Sequence, residues 1–279
     1  MKSMSESCST PITGIDSHAH VFSRALQLVP GRRYTPDYDA TLGQYLAHLH
    51  AHGLSHGVLV QPSFLGTDNS YLLAALRQAP QQLRGVVVLD RDVSRAVMND
   101  MARQGVVGVR LNLMGNILPD VRDAAWKGFF DHIAQLGWHV ELHRQLEDLP
   151  GLIRQLMPFG IQVVIDHFGR PDARLGLDQP GFAQLMALGQ GGQVWMKVSG
   201  IYRLSATAPQ NLEFARASLA LLERSFGPER LVWGSDWPHT QHEEHVGFGT
   251  VMAQLRALDC SASLMHALTV QAPQALFKF

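Results

Sequence analysis

"IQVVIDH", residues 161–167, is apolar for most of its length and then ends on an acid and an imidazole. A strand with one face in water alternates apolar and polar residues, whereas a strand covered on both faces does not. Val163, Val164 and Ile165 in succession therefore predict a strand buried on both sides, as in a parallel sheet wrapped by helices. The same design recurs in "ITGIDSH" (12–18), "HGVLVQP" (56–62), "RGVVVLD" (84–90) and "VVGVRLN" (106–112). It returns in "WHVELH" (138–143), "QVWMKVS" (193–199) and "RLVWGSD" (230–236).

Helical patterns fill the gaps. "ATLGQYLAHLHAHG" (40–53) sets Leu42, Tyr45, Leu46 and Leu49 on one stripe and stops at Gly53. "TDNSYLLAALRQAP" (67–80) opens on capping residues and closes at Pro80. Further helices are predicted over 94–104, 121–136, 146–157, 179–189, 210–226 and 244–258, with a last helical segment, 261–279, packed on the outside. Eight strand–helix units predict a single α/β domain, a (β/α)₈ TIM barrel over residues 12–279, behind a flexible tail at 1–11. The first turn, "HVFSRALQLVPGRRYTP", lacks G-x-G-x-x-G, which argues against a doubly wound dinucleotide-binding sheet.

Composition narrows the function. The chain has 279 residues, is 46% hydrophobic and 17% charged, and carries a net charge of −1. That balance supports a large core and argues against a nucleic-acid partner. Two cysteines, Cys8 and Cys260, cannot form a disulfide framework, so a reduced, cytoplasmic protein is expected. "MKSMSESCST" lacks the apolar run of a signal peptide, and no segment approaches the roughly 18 apolar residues that span a bilayer. Barrels of this kind often associate, so a homodimer is an open expectation, although no stripe in the sequence names an interface.

Barrel enzymes build their sites at the C-terminal ends of the strands. Those ends hold Asp16/His18/His20, Gln61/Ser63, Asp90, Arg110/Asn112, Glu141/His143, Asp166/His167, Lys197/Ser199 and Ser235/Asp236. In "GIDSHAHVF" (14–22), Asp16, His18 and His20 stand two apart and are expected to share one face of a strand. Packing does not explain two imidazoles there. Arg110 is a lone charge in an apolar strand and must meet a carboxylate from the protein or from a ligand. Asp236 in "WGSDWPH" suits either a helix cap or catalysis, and its address favours catalysis. Asp166 is expected to face away from His167 and to bond only the following loop. His143 is read either as a capping residue or as part of the site. His48, His50, His52, His56 and His132 are expected on solvated helices or loops, and Trp126, Phe129 and Phe130 in the core.

The ordered set "DSHAHVF", "GRRYTP", "VLVQPSFLGTDN", "GVRLNL", "DHFGRPD", "KVSGIYRLS" and "VWGSDWPH" resembles the amidohydrolase superfamily. Within it, the set is similar to the 2-pyrone-4,6-dicarboxylate lactonases, hydrolases of aromatic degradation. The resemblance implies a distorted barrel in which Asp236 is the general base and His18, His20 and His167 polarise the lactone carbonyl. Tyr34, Ser63, Arg110, His143, Arg170 and Arg203 would then hold a carboxylated lactone as substrate. Two-metal members carry a lysine or glutamate at the end of strand four. Arg110 and Asn112 stand there instead, so no bridged metal pair is expected. One divalent ion such as Zn²⁺ could sit on His18, His20, His167 and Asp236, but the pyrone lactonases work without a metal and none is expected to be required. The similar lactonases also place further basic residues just after the strand-four arginine. "LNLMGNILPD" has none, which points to a mono-acid or a differently shaped lactone. A metal-dependent decarboxylase of an aromatic or unsaturated acid is the alternative, and a non-catalytic metabolite-binding barrel a third reading.

Overall fold

Each apolar run becomes a parallel strand in the computed structural model, which describes residues 11–279. In chain order these are β1 (Ile15–Ala19), β2 (His56–Val60), β3 (Leu83–Val87), β4 (Val106–Asn112), β5 (His139–His143), β6 (Val163–Ile165), β7 (Val194–Ser199) and β8 (Leu231–Gly234). They form one eight-stranded sheet in sequence order, the arrangement of a (β/α)₈ barrel. The expected tail at 1–11 lies, but for Pro11, outside the described residues.

The ring closes between β8 and β1. The Asp236 amide donates to the His18 carbonyl at 2.8 Å, and the His20 amide donates to the Trp237 carbonyl at 2.7 Å. Gly234 makes this seam possible, since a Cβ there would lie 2.6 Å from the His18 Cβ. Across the ring, β4 and β5 run in register from Gly108 opposite His139 to Asn112 opposite His143.

The outer helices are α1 (Leu42–Ala51), α2 (Ser70–Gln78), α3 (Arg95–Arg103), α4 (Ala124–Leu136), α5 (Leu149–Leu156), α6 (Phe182–Gly189), α7 (Ala208–Phe226) and α8 (Phe248–Ala257). Their apolar stripes cover the strands, as Tyr45 and Leu49 of α1 do. Thr41 caps α1 in a reciprocal box with Gln44, and Gly137 ends α4 in the left-handed conformation. The chain ends in α9 (Ala262–His266) and α10 (Ala272–Phe277). The sequence reading puts this segment on the outside. Ala272, Leu276 and Phe277 instead join Ile15, Val58, Val60, Val107, Val164 and Val232 in a cluster contributed by the strands themselves. The barrel thus has an apolar floor, and its polar groups collect at the other end.

Two histidines expected in solvent are buried. His132 on α4 faces Asn99 of α3 at 3.1 Å, and His56 at the start of β2 meets Ser55 at 2.7 Å. A hydrogen-bond partner makes such burial tolerable. No helix among the described residues is long and apolar enough to cross a membrane.

Candidate active site

The seam between β8 and β1 sets the site. β1 shifts register between Asp16 and Ala19, and the shift separates side chains expected to share a face. Asp16 turns to the seam, where it accepts from the Ser235 amide at 2.7 Å, the Ser235 hydroxyl at 2.5 Å and the Tyr45 hydroxyl at 3.1 Å. Burial, offset by these donors, pushes its carboxyl up to about 6. His18 and His20 converge, with their Nε2 atoms 3.3 Å apart. His20 Nδ1 lies 2.7 Å from the Val60 carbonyl, which can only accept, so that nitrogen carries the hydrogen.

Asp236 follows β8 in the left-handed region (φ +59°), a conformation costly outside glycine and often found at functional sites. Its two oxygens face different partners. Oδ2 accepts from the Tyr202 hydroxyl at 2.7 Å and from Arg203 Nε at 2.5 Å. Oδ1 lies 3.5 Å from His20 Nε2 and 3.7 Å from His18 Nε2. Burial alone would raise this carboxyl, but Arg203 and then His167 outweigh it and hold it well below the usual range.

His167 leaves the end of β6 through a turn in which His167, Phe168, Gly169 and Arg170 all have positive φ. That turn brings His167 and Asp166 to the same interior, contrary to the expected opposite facing. Asp166 pairs with Arg110, whose Nη2 approaches at 2.8 Å, so the protein itself supplies the carboxylate that the lone strand charge demanded. His167 Nδ1 meets Ser199 Oγ at 2.8 Å, and its Nε2 lies 3.9 Å from Asp236 Oδ2. Burial lowers this imidazole to about 3.

Above these groups opens a small polar cavity of about 90 Å³. His20, Ser63, Arg110, His143, His167, Arg170, Arg203 and Asp236 line it, together with Tyr34. Tyr34, however, gives its hydroxyl to Glu243 from the loop after β8. His143 is half-buried, and its two ring nitrogens, both shielded from solvent, have no partner. Asp90 is exposed and outside the cavity, and Gln61 is committed to the Gly66 and Asp68 carbonyls.

Arg33 also lines the cavity, and it was not singled out in the sequence. Its guanidinium donates to Asn112 Oδ1 at 3.1 Å, and neither it nor Arg170 makes an ion pair among the described residues. Burial and then Arg203 lower Arg170 to about 10; burial, Arg110 and Arg203 lower Arg33 as well. Guanidiniums that depress one another mark a strongly positive cavity with room for anions. Tyr202 escaped notice too; its neighbour Arg203 on the same short turn was the available signal.

The amidohydrolase family profile matches residues 15–279. The chain belongs to the amidohydrolase family. It is 32% identical over 282 residues to a 2-pyrone-4,6-dicarboxylate hydrolase of Comamonas testosteroni, covering 96% of this chain and 90% of the relative. A solved structure assigned as a 2-pyrone-4,6-dicarboxylic acid hydrolase, from Pseudomonas putida, superposes with a TM-score of 0.93 at 60% identity. That match covers 96% of this chain and 98% of the other. A third, from Acinetobacter baumannii, carries bound citric acid and matches at 39% identity and a TM-score of 0.93, covering 96% and 100%.

This amidohydrolase also brings His18, His167 and Asp236 within the spacing of metal ligands. By distance alone the set suits a tetrahedral Zn²⁺, whose ligand atoms stand about 3.3 Å apart. The hydrogen bonds do not suit it. A metal on His18 Nε2 requires the hydrogen on Nδ1, and Nδ1 faces the Lys197 amine at 2.9 Å. Asp236 already neutralises Arg203. As built, the donors do not fit the ion.

Proposed function

We propose that this amidohydrolase opens a small carboxylated lactone, of the 2-pyrone-4,6-dicarboxylate kind, by attack of water. The observation that carries the reading is the division of Asp236: one oxygen is held by Arg203 and Tyr202, and the other faces His18 and His20 inside a positive cavity. Similarity to a pyrone-dicarboxylate hydrolase and to a relative crystallised with citric acid supports the choice of a polycarboxylate.

Arg33 and Arg170, free of protein carboxylates, bind the two substrate carboxylates in this scheme, and Ser63, His143 and Arg203 line the rest of the pocket. Arginine suits the task because its planar fork matches a carboxylate. Arg33 supplies the second basic grip missing after β4, so the dicarboxylate is preferred to the mono-acid. Once the carboxylates offset the guanidiniums, Asp236 regains basicity.

A water donates one proton to Asp236 Oδ1 while its oxygen attacks the lactone carbonyl carbon. His20, whose ring hydrogen sits on Nδ1 against the Val60 carbonyl, offers Nε2 as a second acceptor that orients the same water. Negative charge collects on the carbonyl oxygen, where His18 and His167 donate. Each preorganised donor of that kind contributes on the order of 3 kcal/mol. The carbonyl carbon–ring oxygen bond then breaks, and Asp236 returns its proton to the departing enolate oxygen. The product is a ring-opened carboxylic acid and enol, and the new acid gives up its proton to solvent as it leaves.

Asp236→Asn tests the scheme. It is expected to bind the lactone and lose at least about a thousandfold in kcat. Near-normal hydrolysis by this variant overturns the assignment, and CO₂ release abolished by chelation would point to the decarboxylase instead.

A further inference from the structure

The barrel interior holds a charged side chain that the proposed reaction does not employ. Lys197, on β7, is fully buried. Its nitrogen lies 2.5 Å from Glu141 Oε1, 2.9 Å from His18 Nδ1 and 3.3 Å from Asp166 Oδ1. An ammonium has three hydrogens and no lone pair, and here three acceptor atoms surround it. Those three side chains also converge closely enough to hold a metal ion, and the lysine nitrogen already lies within reach of each.

We propose that Lys197 is a positioning residue that sets the tautomer of His18. By donating to Nδ1 it keeps that nitrogen free of hydrogen, leaves the ring hydrogen on Nε2, and so makes His18 a donor toward His20 and the base of the cavity instead of a metal ligand. For what that donor does to the lactone, the inference rests on the reaction proposed above; the tautomer itself does not.

The hydrogen bonds run in one direction from end to end. Lys197 can only donate, and the Val60 carbonyl at the far end can only accept. Between them the polarity has one solution: Lys197 to His18 Nδ1, His18 Nε2 to His20 Nε2, and His20 Nδ1 to Val60. The opposite tautomer would set the His18 Nδ1 hydrogen against the ammonium at 2.9 Å, with Asp166 Oδ1 as its acceptor only at 3.4 Å. The middle link is the longest at 3.3 Å; His18 is fully buried behind the residues that line the cavity, so a substrate oxygen takes over its hydrogen only by displacing that weak bond to His20.

The same chain explains why the metal-like cluster above it is a poor metal site. With Lys197 gone, Asp166 could accept the His18 Nδ1 hydrogen, the carboxylate–imidazole arrangement that strengthens a metal-bound histidine. One lysine then separates a carbonyl donor from a metal ligand.

The test uses histidine-labelled full-length protein, long-range ¹⁵N–¹H spectra at pH 8, and titration with Zn²⁺ against a chromogenic chelator. Wild type is compared with Lys197→Met and with Lys197→Met/Glu141→Gln. The double variant removes the lysine's partner charge, in case the single one fails to fold. His18 is expected to carry its hydrogen on Nε2 in wild type and to move toward the Nδ1 form in the variants. Zn²⁺ should bind the variants about 10- to 100-fold more tightly, and kcat on the lactone should fall about a hundredfold with KM little changed. A His18 hydrogen on Nδ1 in wild type overturns the proposal, as do variants with an unchanged tautomer and unchanged Zn²⁺ affinity. Failure of wild type to turn over any lactone would remove the reaction, while the spectra and the zinc titration would still decide the role of Lys197.

Discussion

Arg110 and Asp166 form a buried ion pair in which Nε and Nη2 both reach the same carboxylate oxygen, at 2.9 and 2.8 Å. One comes from the body of β4 and the other from the residue after β6, so the pair ties β4 to β6 past the intervening β5 at the cavity wall. Removing one partner leaves a buried charge exposed to the other's absence. Arg110→Met is therefore expected to lose about 3–5 kcal/mol of stability by urea denaturation. If Arg110 served only as a substrate ligand, stability would hardly change and KM alone would rise.

Arg33 and Arg170 lack such partners and carry the opposite expectation. Arg33→Met and Arg170→Met should each raise KM for a dicarboxylated lactone by about 10- to 100-fold, the loss of one charged hydrogen-bonding group, with kcat and stability nearly unchanged. A lactone bearing one carboxylate should be affected strongly by only one of the two substitutions. Equal effects of both on the mono-acid would dissociate these arginines from the two-carboxylate grip.

Tyr202 donates to the same Asp236 oxygen as Arg203. With the carboxyl held well below its usual range, the base is ionised through the neutral region. Activity should thus be lost only as pH falls through that depressed value. Tyr202→Phe removes one stabilising donor, so the acid limb of the kcat/KM profile moves to higher pH. An unmoved limb would mean that another group titrates in it.

Buried imidazoles set the pH dependence of stability. His167 is lowered to about 3 and His239 to about 4, chiefly by burial, from an ordinary 6.5. Between those values the unfolded chain binds protons that the folded one does not. Stability should fall as pH drops from about 6.5, by about 1.4 kcal/mol per pH unit for each such proton. Asp16, raised to about 6, works the other way, because the folded state binds its proton first. Urea melts at pH 7, 6 and 5 measure the balance, and His239→Asn should flatten the slope.

Gly234→Ala would place a methyl group 2.6 Å from the His18 Cβ and 2.8 Å from its amide nitrogen. Overpacking of that kind costs roughly 1–3 kcal/mol, and here it also displaces His18. Loss of activity out of proportion to the fall in Tm is expected. A variant as active and stable as wild type would show that the seam can relax.

Much of this protein was legible in its residues. Eight apolar runs separated by helical stripes leave few architectures, because a strand apolar on both faces must be covered on both. Polar groups at the ends of those runs marked the rim, and the order of the motifs marked the family. His18, His20, His167 and Asp236 do meet in one place. The fates of Asp16 and Asp166 were not legible, because alternation assumes an unbroken strand. A register shift in β1 and a run of left-handed residues after β6 break it.

The one-dimensional pattern determined the barrel and the kinds of groups at its mouth, since periodicity and burial are local properties of the chain. Only the folded ring decided which charges neutralise one another. It gave Asp166 to Arg110, left Arg33 and Arg170 without carboxylates, and set Lys197 behind His18. Those pairings join residues up to 179 positions apart in the chain, and partners so distant are chosen by closure of the barrel, not by any local preference.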